Sequence, residues 1–63
     1  MKIYIVIEMH VATGRILRIV EVYDNYESAL AYVDSWKKLF KKDDPYKFEI
    51  IEKDVVTNDV AKN

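Results

Sequence analysis

Ile3-Tyr4-Ile5-Val6-Ile7-Glu8-Met9 is the stretch whose reading decides the fold. It is apolar almost without a break and rich in β-branched and aromatic side chains, the composition of a strand that tolerates little water on either face. A strand apolar on both faces belongs at the centre of its sheet, with material packed above and below it. In a chain of 63 residues that material is scarce. Either the short remainder supplies both covers or a partner supplies one.

Alternation divides the stretch into two sets, Ile3, Ile5, Ile7 and Met9 on one face and Tyr4, Val6, Glu8 and His10 on the other. The first set is uniformly apolar, so it is the expected core face. The second turns polar toward the end of the strand.

Working outward, His10-Val-Ala-Thr-Gly14 reads as a hairpin connection of three to five residues. Gly14, the only glycine, stands where a turn calls for positive φ. A second strand follows over Arg15–Tyr23, with faces Ile16, Arg18, Val20, Val22 and Leu17, Ile19, Glu21, Tyr23. Each face carries one charge. Val20 and Val22 are expected inward, which leaves Arg18 near the hairpin end, and a slip of one residue would exchange the faces.

Asp24 is the expected N-cap of a helix, with Glu27 three residues on as in a capping box. The helix is expected to reach about Lys41. At 100° per residue Tyr26, Ala29, Leu30, Val33, Trp36 and Phe40 share a stripe, widened by Tyr32 and Leu39. Asp34 and Lys38 are spaced for an i,i+4 ion pair on the solvent side. Lysines gather at the C-terminal end, where the helix dipole favours cations. Pro45 biases Asp44 away from helical geometry and ends the segment. A third strand covers Tyr46 to about Val56, and residues 57–63 read as a frayed polar tail.

The expected fold is therefore α+β, a single ββαβ domain over residues 1–56. Its three-stranded antiparallel sheet has the order 2-1-3, with one helix packed on one face. The order 1-2-3 ranks second, because it would leave Ile3–Met9 on an edge. With one helix for two faces, a sheet surface of Tyr4, Val6, Leu17, Ile19 and Tyr23, with Ile51, is expected to lie open. Such a patch exceeds the few hundred Å² a monomer usually presents. Hiding roughly 500 Å² at ~25 cal/mol per Å² is worth on the order of 12 kcal/mol before costs. The expected occupant is a second copy, a homodimer packed sheet to sheet.

Composition narrows the function classes. The hydrophobic share of 51% is too high for intrinsic disorder. Ten basic residues against eleven acidic leave a formal charge of −1, so net charge does not point to nucleic acid. There is no cysteine, which excludes disulfides and fits a reducing cytoplasm. No apolar run approaches the ~20 residues of a membrane span. No secretory signal is visible, and Met1 reads as a natural start. A domain this small buries only ~60% of its unfolded surface and needs dense packing or oligomerisation.

The catalytic inventory is thin. Ser28 and Ser35 fall within the helix, and His10 has no partner in the sequence. Glu8, His10 and Glu21 could meet near the hairpin, at a spacing that is not diagnostic of a metal. No catalytic residue, metal or cofactor is assigned. Tyr32, Trp36 and Leu39 are candidate anchors for a protein partner, since Trp and Tyr are enriched at interface hot spots. Arg15, Arg18, Lys38, Lys41 and Lys42 are candidate phosphate contacts, with the solvated, dipole-compensating helix end as the simpler reading of the lysines.

Lys2-Ile-Tyr-Ile-Val-Ile-Glu8, Gly14, the run Ile19–Val33 and Phe48-Glu-Ile-Ile-Glu-Lys-Asp54 together resemble a group of small bacterial and bacteriophage proteins. That group shares a Tyr-containing apolar first strand, a hairpin, a Val-aromatic strand end, a Glu-x-Ala helix start and an acidic-apolar last strand. The resemblance implies a ββαβ fold and a phage origin, and transfers no site residue. The expected function is a non-enzymatic, cytoplasmic protein-interaction module, a phage-encoded modulator of a host protein. The second-ranked reading is a nucleic-acid accessory protein using the hairpin arginines and helix-end lysines.

Overall fold

A computed structural model describes residues 1–56; the expected polar tail, residues 57–63, lies outside the described residues. Strand β1 spans Lys2–His10, β2 Ile16–Tyr23 and β3 Tyr46–Asp54, with helix α1 over Tyr26–Lys37 between β2 and β3. The sheet has the order β2-β1-β3 and both pairings are antiparallel. The apolar first strand is central, as its two-faced composition requires.

The hairpin closes through the Gly14 amide donating to the His10 carbonyl at 2.8 Å and the His10 amide donating to the Arg15 carbonyl at 2.8 Å. Gly14 has φ of +71°, the left-handed conformation expected of it.

The helix packs on the other face of β1 from the one expected. Val6 is fully buried against Ala29 and Val33, and Tyr4, Val20, Tyr23, Tyr32, Phe48 and Ile50 pack around that cluster. Tyr4, Val6 and Tyr23 therefore belong to the core and not to an open face. Ile3, Ile5, Ile7 and Met9, by alternation, occupy the side without a helix. Two features explain the inversion. The β1–β3 register sets Val6 opposite Ile50 and Glu8 opposite Phe48, while Lys47, Glu49 and Lys53 fall opposite Met9, Ile7 and Ile3. The apolar side of β3 thus shares a face with Val6, and its charged side shares a face with Ile7. The small side chains Val6 and Ala29 also let the helix approach the sheet closely, which a row of isoleucines would resist.

β2 carries register shifts at Val6/Ile7 and Glu8/Met9, leaving Val20 and Leu17 as the extra residues. Each bulge interrupts strict alternation. Val20 joins the core as expected, but Val22, opposite Ile5, is exposed on the other face.

Asn25, not Asp24, is the N-cap. Its side-chain Oδ1 accepts from the Ser28 amide at 2.8 Å, and its backbone is extended. Asp24 instead accepts from the Asn25 side-chain amide at 3.0 Å. The helix ends at Lys37, shorter than expected. The amides of Leu39 and Phe40 both donate to the Trp36 carbonyl, which tightens the last turn. Asp44 Oδ2 then accepts from the Lys41 amide at 2.6 Å, closing the connection before Pro45. Asp34 and Lys38 form no ion pair among the described residues. The ion pairs there are Lys2–Glu52, Arg18–Glu8 and Lys47–Glu49.

Candidate functional site

The open side of the sheet is built by β1 and β2 and rimmed by β3. Along its axis lie Ile3, Ile5, Ile7 and Met9. Ile7 is only 4% exposed, screened by its strand neighbours across Ile19 and Glu49. Beside this row β2 presents Ile16, Ile19 and Val22, paired with Met9, Ile7 and Ile5 and all exposed, with Ile19 at 63%. On the other side β3 presents one exposed aliphatic residue, Ile51, among Lys47, Glu49 and Lys53. Lys47 and Glu49 pair with each other at 3.2 Å.

The apolar area is therefore off-centre, displaced toward β2, with a charged margin along β3. The four exposed aliphatic residues of this face, Ile16, Ile19, Val22 and Ile51, present on the order of 400 Å² to water, the size of the largest apolar patch on a typical monomer, which is often functional. Of the residues expected on this surface, the structure places Leu17, Ile19 and Ile51 among the exposed aliphatics and puts Tyr4, Val6 and Tyr23 under the helix. Sequence reasoning missed Ile3, Ile5, Ile16 and Val22. The signal that could have found them is the split of β3 into apolar Phe48 and Ile50 against charged Lys47, Glu49 and Lys53. The side with the larger apolar groups takes the helix.

The aromatic residues of α1 divide between core and surface. Tyr32 stacks on Phe48 with ring centroids 6.2 Å apart and also touches the Tyr23 and Trp36 rings. Trp36 meets Phe48 edge-on at 5.9 Å, as does Phe40 at 5.2 Å. This cluster closes the end of the core nearer the hairpin, where β1 itself offers only the polar Glu8 and His10. Leu39, beyond the helix end, is 68% exposed.

The basic residues fall at one end of the molecule. The hairpin that carries Arg15 and the segment that carries Lys38, Lys41 and Lys42 are tied by the Val11 amide donating to the Pro45 carbonyl. Arg18 is engaged elsewhere, its Nε 2.7 Å from Glu8 Oε1. His10 lies against the Tyr46 ring and has its Nδ1 3.3 Å from the Thr13 hydroxyl. Glu21 stands opposite Val6, well down the strand from His10. Among the described residues no three His, Cys, Asp or Glu side chains gather as a metal ion would need, and no helix is long and apolar enough to cross a membrane.

Two groups titrate away from their ordinary values. A hydrogen bond from Lys2 to Glu52, with the charges of Glu52 and Asp54, raises the Lys2 ammonium. Partial burial, with the charge of Glu21 and the neighbouring Tyr32, raises the Tyr23 phenol. Neither lies on the open face. Comparisons with protein-family models, curated proteins and solved structures find no match to this chain.

Proposed function

We propose that this chain is a small, non-catalytic protein-interaction module that self-associates through its open sheet face. The observation that carries the reading is the row of exposed aliphatic residues Ile16, Ile19 and Val22 beside Ile3 and Ile5, with no cover among the described residues. Two such faces stacked about a two-fold axis would bury on the order of 1,000 Å² in total, the lower bound of a specific interface. Centring the axis over β1 and β2 leaves Lys47, Glu49 and Lys53 at the rim, which matches the apolar centre and polar margin of protein interfaces. Stacked sheets pack about 10 Å apart with their strands within about 30° of each other, so both helices stay on the outside.

The non-catalytic part of the reading rests on the residue inventory, which holds no cysteine and one histidine. We further propose, from the resemblance of the sequence alone, a role as a phage-encoded, cytoplasmic modulator of a host protein. In that role the dimer is the active unit. Sedimentation equilibrium from low to high micromolar concentration tests the proposal: a concentration-dependent monomer–dimer equilibrium is expected. A species that remains monomeric at high micromolar concentration would overturn it.

A further inference from the structure

We infer that the outer edge of β3, together with the groove between β3 and α1, accepts an extended segment of a partner protein as a fourth strand. This site is independent of the open sheet face. The groove encloses about 500 Å³ and is lined by Tyr26, Leu30, Lys37 and Phe40 from the helix side and by Phe48 and Ile50 from the strand. Tyr26, Leu30, Val33 and Lys37 follow one line down the helix at i, i+4, i+7 and i+11, so its long wall runs along the helix beside β3.

The backbone of β3 supplies the second half of the site. The Val11 amide donates to the Pro45 carbonyl at 2.8 Å, and the Val55 amide donates to the Met1 carbonyl at 2.7 Å. These two bonds bracket the β1–β3 ladder and set its phase. Residues 47, 49, 51 and 53 turn their amides and carbonyls to β1, and Phe48, Ile50 and Glu52 turn theirs outward. No hydrogen bond among the described residues engages those outward groups. The other edge of the sheet, β2, is broken by two bulges, which disrupt ladder spacing. β3 pairs with β1 without a shift over its whole length, so its outer edge keeps regular spacing.

An antiparallel strand added here gains main-chain hydrogen bonds from β3 and directs alternate side chains toward the groove, the general mode of strand-addition recognition. The charge of the groove selects among such strands. Lys47 and Glu49 pair with each other on the open side of the sheet, which leaves Lys37 as the charged side chain of the helix wall, and Lys37 forms no ion pair among the described residues. Lys38, Lys41 and Lys42 follow Lys37 in the chain. The fitting occupant therefore has apolar residues at alternate positions and carboxylates at its C-terminal end, which antiparallel pairing brings beside Lys37.

The test uses the full chain, ¹⁵N-labelled, and an acetylated synthetic octapeptide with leucine or valine at alternate positions and two glutamates at its C-terminal end. In the free protein the amides of Phe48, Ile50 and Glu52 exchange with solvent freely, while those of Lys47, Glu49 and Ile51 are protected. Peptide addition slows exchange at Phe48, Ile50 and Glu52 tenfold or more and shifts the resonances of Leu30 and Phe40. Lys37→Glu, a surface change, weakens the peptide about tenfold, and a scrambled peptide of the same composition binds at least as poorly. Protection of Phe48, Ile50 and Glu52 in the free protein would overturn the inference, because a second copy would then hold the edge. So would equal binding of the scrambled peptide, or no shift at millimolar peptide.

Discussion

Ile19→Lys separates association from folding. Ile19 is 63% exposed in the single chain and sits on the bulged edge strand beside Ile7. In a face-to-face dimer it would lose on the order of 110 Å² of apolar contact with water, worth ~2.7 kcal/mol per copy at ~25 cal/mol per Å². The two-fold axis doubles this to ~5 kcal/mol, or about four orders of magnitude in dimer Kd. Two ammonium groups forced into an apolar contact add a desolvation cost in the same direction. The single chain is nearly indifferent. The position is already wet, and lysine on an edge strand costs at most ~1 kcal/mol of strand preference. Sedimentation equilibrium is the assay, with urea denaturation at low micromolar concentration as the folding control. The expected result is a monomer with near-native stability. A variant that still dimerises within tenfold of the wild-type affinity would refute the placement of the interface on this face. A variant that unfolds would refute the claim that Ile19 is outside the core.

Three further outcomes follow from the packing. Val6→Ala, measured by urea denaturation in the Ile19→Lys background to exclude dimer linkage, should cost about 2 kcal/mol, because Val6 is fully buried under Ala29 and Val33; a loss under 0.5 kcal/mol would contradict the helix placement. Asn25→Ala should cost ~1 kcal/mol through loss of the cap to the Ser28 amide, while Asp24→Ala should change stability by under ~0.5 kcal/mol, as thermal melts of the two would show. Stability should fall as pH rises through and above ~10, since Tyr23 and Lys2 both have folded-state pKa values raised above their unfolded ones. The contribution of each is complete below its unfolded pKa and is lost as pH climbs through the folded one. Tyr23→Phe should flatten that decline in thermal melts taken from pH 8 to 11, and an unchanged slope would remove Tyr23 as a cause.

Much of this molecule was legible in the sequence. Strand order, the central place of Ile3–Met9, the left-handed Gly14 and the presence of one helix for two faces follow from local chemistry. An apolar strand must be central, a lone glycine marks a turn, and a 3.6-residue stripe makes a helix. Nearest-neighbour competition already blurred the helix ends. Asp24 and Asn25 are both good caps, and only the position of the Ser28 amide chose between them. The end at Lys37 was set by the bonding of Leu39 and Phe40 to the Trp36 carbonyl, which no periodicity reports.

The face of β1 that the helix covers was decided by tertiary structure alone. Both faces of Ile3–Met9 are apolar, so burial of either satisfies that strand, and the local sequence cannot break the tie. It was broken by β3, whose register with β1 brings Phe48 and Ile50 beside Glu8 and Val6, and by the bulges of β2, which turn Val20 inward and Val22 outward. The same one-residue parity sends the isoleucines of β1 to the open side. An uncovered apolar face was thus determined by chain length and composition. Which residues form it was determined by strand register, a contact between segments whose paired residues lie 36 to 52 positions apart.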